Sequence, residues 1–195
     1  MRGHFLTRFR GSPISKGLTA TIEPVFVLGV DPGLSRCGYC VVRVVRGQSR
    51  AVALGVFRTD PAMGVPERLA ELCSDVRGLL DEFPADAVAL ERVLFQVNVR
   101  TAMSVGQASG VVMAEAAGRG IPVTEYSPNE VKGAVAGFGG ADKAQVQRMV
   151  QLLLDLDVVP DPPDAADAAA VALTHVAHTA GVRRPAATTT SGGLP

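Results

Sequence analysis

Apolar and polar positions along the 195-residue chain change period several times, and the changes mark out its elements. The run Val25-Phe26-Val27-Leu28-Gly29-Val30 predicts a buried strand over 25–31, ended by the turn signal Asp31-Pro32-Gly33. Residues 37–45 and 50–58 are rich in valine and predict two more strands, joined across Arg46-Gly47-Gln48-Ser49. Leu69, Leu72, Val76, Leu79 and Leu80 then recur with helical spacing over 66–83. A short buried strand follows at 86–91, a helix at 98–119 and a strand at 121–126. Ser127-Pro128-Asn129-Glu130 forms a capping box with proline at the first helical position, opening a helix to about Ala136. Asp142, with Gln145 three residues on, caps a helix over 143–155. Pro160-Asp161-Pro162-Pro163 precedes a last helix over 163–180. The order β-β-β-α-β-α-β-α-α-α predicts an α/β fold, a mixed five-stranded sheet with helices on both faces.

Within this pattern four carboxylates stand where acids are rare. Asp31 and Glu91 each end an apolar strand, and Asp164 and Asp167 open an alanine-rich helix. Ionised acids are seldom buried unless something offsets their desolvation, and a divalent cation with oxygen ligands is the usual agent. Two strand-end acids and an i, i+3 pair on a helix can converge on one site, a pattern that points to magnesium-dependent phosphoryl-transfer chemistry. Each has an ordinary alternative. Asp31 can bond its own turn, Glu91 can face solvent, and Asp164 can cap its helix and complement the helix dipole. The next turns of the Asp164/Asp167 face are Val171 and Thr174, so this stripe is expected to face inward.

Composition narrows the field. Formal net charge is zero, with 19 basic and 19 acidic residues, so any nucleic-acid surface must be local. Only Lys16, Lys132 and Lys143 are lysines, and two of them lie close together in sequence. Cys37-Gly38-Tyr39-Cys40 has C-x-x-C spacing, but on a strand its cysteines point to opposite faces and no second pair completes a zinc site. Packing cysteines in a reducing cytoplasm are expected. No apolar run is long enough to span a bilayer. Residues 1–24 carry Arg2, Arg8, Arg10 and Lys16 and are expected to be a disordered basic extension, with one folded domain over 25–180 and a disordered tail over 181–195.

Several stretches together resemble one family. Val-Leu-Gly-Val-Asp-Pro-Gly-Leu-Ser-Arg-Cys-Gly-Tyr (27–39), Ala-Leu-Glu-Arg-Val (89–93), Gly-Gln-Ala-Ser-Gly (106–110), Glu-Val-Lys (130–132), Ala-Asp-Lys-Ala-Gln-Val (141–146) and Asp-Ala-Ala-Asp-Ala (164–168) resemble RuvC, the bacterial crossover junction endodeoxyribonucleases. The resemblance implies a ribonuclease-H-like fold and a homodimer that resolves Holliday junctions in recombination and repair by paired nicks. It maps the family's catalytic, metal-holding acids onto Asp31, Glu91, Asp164 and Asp167. It also implies two Mg2+ ions per site, with Mn2+ as a substitute, and RuvA and RuvB as partners. Lys132 and Lys143 match DNA-contacting positions, and Arg100 and Arg148 are further candidates for backbone contacts. Leu94 and Phe95 are candidates for an apolar wedge at the junction. The family implies a dimer contact along helix 98–119, where Ala102, Gly106, Gly110 and Ala114 repeat every fourth residue. Two other classes compete with a cleaving enzyme: a junction-binding protein without cleavage, and an actin-like phosphotransferase suggested by Gly29-Val30-Asp31-Pro32-Gly33.

Overall fold

The structure, a computed structural model, describes residues 23–92 and 99–182, with side chains described outside 99–101 and 180–182. Leu94, Phe95, the side chain of Arg100, residues 1–22 and residues 183–195 lie outside the described residues. The elements are β1 (Val25–Asp31), β2 (Arg36–Val45), β3 (Gln48–Arg58), α1 (Val65–Glu82), β4 (Ala87–Glu91), α2 (Val99–Gly118), β5 (Val123–Tyr126), α3 (Pro128–Ala136), α4 (Lys143–Leu154) and α5 (Pro163–Val182). Each matches an expected element in type and order.

The strands form one sheet in the order β3-β2-β1-β4-β5. The three consecutive strands pair antiparallel, while β4 lies parallel to β1 and β5 parallel to β4. The sheet is therefore mixed, as the element order predicts. The β2–β3 turn is tighter than expected. Arg46 and Gly47 alone make it, both with positive φ (52° and 78°), so β3 begins at Gln48. A turn with two left-handed residues follows the twist of a hairpin, and glycine at the second position makes it accessible.

Side chains alternate across the sheet with period two. Leu28, Val30, Val88 and Leu90 pack on one face with Leu72, Val76 and Leu79 of α1 and Ala108 and Val112 of α2. Val27, Cys40, Val42 and Ala89 face the other way, against α3, α4 and α5. Cys37 and Cys40 fall into different cores, as strand periodicity requires of positions three apart. Both thiols are buried, and burial pushes that of Cys37 up to about 12. Among the described residues neither is part of a metal-binding group.

Helix α5 is the apolar centre of its layer. Ala165, Ala166, Ala168, Ala169, Ala170, Val171, Ala172 and Thr174 are all fully or almost fully buried. Small side chains allow it to lie very close to the strands. At Gly29 on β1 a Cβ would collide with the backbone of Ala168 and Ala172, and at Gly38 on β2 with the backbone of Asp164. These two glycines set the depth at which α5, and hence its acidic first turn, sits on the sheet.

Candidate active site

Periodicity alone places much of the site. Val27, Gly29 and Asp31 share the face of β1 that meets α5, and Ala89 and Glu91 share the matching face of β4. The parallel register pairs Val30 with Leu90, so the next step puts Asp31 beside Glu91 at the carboxyl ends of neighbouring strands. Across β1, Asp31 pairs with Gly38. The backbone of Asp164 rests on that glycine, so the first turn of α5 delivers its acid next to Asp31. Asp167, one turn on, lies on the same side of the helix.

The electrostatics record this convergence. Asp31 is pushed up to about 7, first by burial and then by the negative charges of Glu91, Asp167 and Asp164, with Lys143 opposing. Glu91 is also raised, by burial and by Asp167, and is held back by Lys143 and Lys132. Like charges that share a desolvated site favour protonation of one member. Asp31 is the member that carries the strain of the cluster.

Two cations answer the two acids of α5. Lys143 Nζ lies 2.6 Å from Asp167 Oδ2, and this bond raises the lysine's own pKa. Arg36 donates from Nε to Asp164 Oδ2 at 2.9 Å, and its terminal nitrogen reaches the same oxygen. Lys132 of α3 and Lys143 of α4 line one cleft of about 270 Å³ with Glu91, Asp167, Pro128, Val131, Val146 and Ala170. Both are positioned by the expected capping boxes, at Ser127/Glu130 and Asp142/Gln145. At the start of α4 the Gln145 N–H is taken by the Asp142 side chain, and the Lys143 ammonium is bonded to Asp167.

Arg36 carries a role that the sequence pattern did not mark. It is the first residue of β2 and sits between the turn after Asp31 and the glycine under α5. That turn is braced from outside the motif. Thr59 Oγ1 donates to the Leu34 carbonyl at 2.6 Å, and Arg68 bonds both Thr59 Oγ1 and Ser35 Oγ. The one available signal was an arginine directly before Cys-Gly-Tyr; the partner lies 128 residues away.

The remaining expectations fall as follows. Arg148 is exposed on α4. Gly106, Gly110 and Ala114 are exposed on α2, and no atom comes within 4 Å of a Cβ built on either glycine, whereas Ala102 is buried. His175 is buried, with Nδ1 3.0 Å from the Tyr126 hydroxyl, and His178 Nδ1 bonds the Thr174 carbonyl at 2.8 Å. Neither histidine belongs to the acid cluster.

A divalent metal fits this donor set. All four acids offer hard oxygen ligands, and Asp31 and Glu91 are raised first by burial and then by their acidic neighbours, both of which a bound cation would offset. As the side chains stand, no three acidic, histidine or cysteine groups among the described residues form a ready ligand set. Asp164 and Asp167 are instead turned to Arg36 and Lys143.

Comparisons with known proteins bear on the family and the fold. The family described as crossover junction endodeoxyribonuclease RuvC matches residues 27–175. A crossover junction endodeoxyribonuclease RuvC from Pseudarthrobacter chlorophenolicus is 48% identical over 167 residues, which is 85% of this chain and 86% of the relative. The Thermus thermophilus RuvC structure aligns with a TM-score of 0.76 at 36% identity, covering 81% of this chain and 97% of that one. The same protein in complex with Holliday junction substrate aligns with a TM-score of 0.76 at 37% identity, covering 80% and 94%. The ribonuclease-H-like fold is thereby established, and the phosphotransferase reading of residues 29–33 is set aside. With its strand-end acids, its acidic helix and this continuous similarity, the chain belongs to the RuvC family of crossover junction endodeoxyribonucleases.

Proposed function

We propose that this nuclease resolves Holliday junctions by paired, symmetric nicks that leave 5′-phosphate and 3′-hydroxyl ends, and that Asp31, Glu91, Asp164 and Asp167 hold its metal. The observation that carries this reading is the convergence of the acids, with Asp31 beside Glu91 at neighbouring strand ends and the first turn of α5 seated on Gly38; burial, and then the charge of the other three acids, pushes Asp31 up to about 7. A cluster so arranged is suited to a divalent cation, and its oxygen donors suit Mg2+, with Mn2+ as substitute and two ions per site. When bound, the metal neutralises the carboxylates, lowers the pKa of an attacking water and stabilises the leaving 3′ oxygen.

The protein's own groups do the rest. Glu91 and Asp31 fix one side of the site from rigid strand ends, and Asp164 and Asp167 fix the other from a helix seated on glycine. Lys132 and Lys143 bring positive charge to the cleft beside them; Lys143 draws the DNA backbone toward the acids, and Lys132 acts on the charge that develops in the transition state. Arg148 and Arg100 contribute more distant backbone contacts, and Leu94 or Phe95 wedges between unstacked bases. Two symmetric nicks call for two sites related by a two-fold axis. The exposed small residues Gly106, Gly110 and Ala114, with Met103 60% exposed beside them, suit a homodimer contact along α2. RuvA and RuvB are the expected partners in a cytoplasmic setting. No described helix is long and apolar enough to cross a membrane.

The test is cleavage of a synthetic four-way junction in Mg2+ without nucleotide. Wild type should nick opposite strands symmetrically. Asp31→Asn, Glu91→Gln, Asp164→Asn and Asp167→Asn should each abolish nicking while still binding the junction, because losing a negative charge does not weaken attraction to phosphate. Near-normal metal-dependent cleavage by any one variant removes that acid from the site.

A further inference from the structure

We propose that Arg36 is an internal counter-cation, holding Asp164 until a divalent metal takes its place and then turning to the DNA backbone, so that metal binding and junction binding are coupled through it. This rests on the metal-dependent nuclease reading above and adds a DNA contact on the β2–β3 side of the site.

Three observations carry it. First, the contact is direct: both the Nε and a terminal nitrogen of Arg36 approach Asp164 Oδ2. A metal ligated by that oxygen must compete with the guanidinium for it. Second, the pair is open to solvent, with the arginine side chain 41% exposed and the aspartate 26% exposed. Exchange therefore needs no rearrangement of the core, and an ion pair of this kind is weak enough to give way. Third, β2–β3 pairing sets Arg36 directly opposite Arg58, which is also exposed, on the face that meets α5. Like charges directly across a strand pair are destabilising. While Asp164 balances Arg36 the juxtaposition is tolerable. Once a metal occupies Asp164, two guanidiniums stand side by side at the rim of the site. A phosphodiester is the anion of matching chemistry, since guanidinium groups bind phosphate in a fork.

The two cations at α5 then sit on opposite flanks. Lys143 reaches Asp167 from the α3–α4 side, and Arg36 reaches Asp164 from the β2–β3 side. A strand running between them has a basic contact on each edge of the acids.

The experiment uses full-length protein and measures binding rather than turnover. Mn2+ affinity is measured by electron paramagnetic resonance without DNA. Affinity for a four-way junction is measured across a salt series, in EDTA and in Ca2+. The proteins are wild type, Arg36→Gln and Arg58→Gln, each checked for native circular dichroism and melting temperature. Arg36→Gln should bind Mn2+ on the order of two- to fivefold more tightly, because the competing cation is gone. In Ca2+ it should bind the junction less tightly, with the salt slope of log affinity reduced by about 0.9. In EDTA it should match wild type. Linkage requires the two effects to be reciprocal, so the metal-induced gain in junction affinity should shrink in the variant. Arg58→Gln should weaken junction binding in Ca2+ without tightening Mn2+ binding, because it does not hold an acid. Unchanged Mn2+ affinity in Arg36→Gln overturns the proposal, as does an equal loss of junction affinity in EDTA and in Ca2+. A wild type that binds neither Mn2+ nor the junction overturns the nuclease reading itself, a different failure.

Discussion

Lys143 Nζ and Asp167 Oδ2 lie 2.6 Å apart and join the first turn of α4 to the second turn of α5. The contact places an ammonium at the edge of the acid cluster, while Lys132 lines the same cleft with Glu91 and, among the described residues, has no hydrogen bond to an acid there. The two lysines should therefore fail differently. Lys143→Ala should weaken junction binding, lower the salt slope by about 0.9 and slow cleavage, because one phosphate contact is lost. Lys132→Ala should leave affinity and slope unchanged while slowing single-turnover cleavage, as expected of charge that acts on the transition state. A salt series in Ca2+ with single-turnover rates in Mg2+ separates them. Normal values for both variants would return the lysines to the solvated surface.

The raised Asp31 makes the metal-free protein sensitive to pH. The folded-state value is about 7, against an ordinary 3.8. Between these values the folded state binds more protons than the unfolded state, so stability falls as pH rises. The loss should amount to a few kcal/mol, complete slightly above pH 7. Thermal melts in EDTA from pH 4 to pH 8 should show this decline, and Asp31→Asn should flatten it. Added Mg2+ should stabilise the protein increasingly as pH rises through 7, because metal must displace the proton. A melting temperature for wild type in EDTA that runs parallel to that of Asp31→Asn would contradict the assignment.

Gly38 is the register partner of Asp31 and the seat of Asp164. Gly38→Ala forces a Cβ into the backbone of α5. We expect a destabilisation of about 1–3 kcal/mol and a loss of cleavage beyond what stability explains, since the acids separate. Gly78→Ala is the control. Gly78 lies within α1 with no atom within 4 Å of the added carbon, and alanine there should be neutral or stabilise by up to about 1 kcal/mol. Denaturant melts and cleavage rates on both variants check the contrast.

Gly110 tests assembly. A side chain built there meets nothing within the chain, so Gly110→Leu should fold normally. If α2 forms the two-fold contact, the leucine prevents close approach and shifts the dimer to monomer. Sedimentation should find dimeric wild type and monomeric variant at micromolar concentration. Monomeric wild type even with junction DNA would refute the interface.

Much of this protein was determined by local chemistry and is legible in the sequence. The elements follow from period-two and helical runs, and the capping boxes at Ser127 and Asp142 fix where α3 and α4 begin. Asp31 and Glu91 stood out because an ionisable group ending an apolar run is costly unless it has a use. Asp164 and Asp167 stood out because the rest of their helical stripe, Val171 and Thr174, is largely apolar in sequence, and the structure buries both residues fully. Local patterns could not separate these acids from turn and cap residues, because both uses place the same residue at the same element end.

The tertiary structure decided what the acids meet. Parallel pairing set Asp31 beside Glu91, and Gly38 admitted the backbone of Asp164 against β2. Arg36 became part of the site only through a contact with a residue 128 positions away, and the Asp-Pro-Gly turn is held by Thr59 and Arg68 from the end of β3 and from α1. The two-residue turn at Arg46-Gly47 likewise follows from strand twist and not from composition. Periodicity reports which face a side chain takes. Which partner waits on that face depends on strand order, register and how closely a helix can approach, and those are settled only when the whole chain packs.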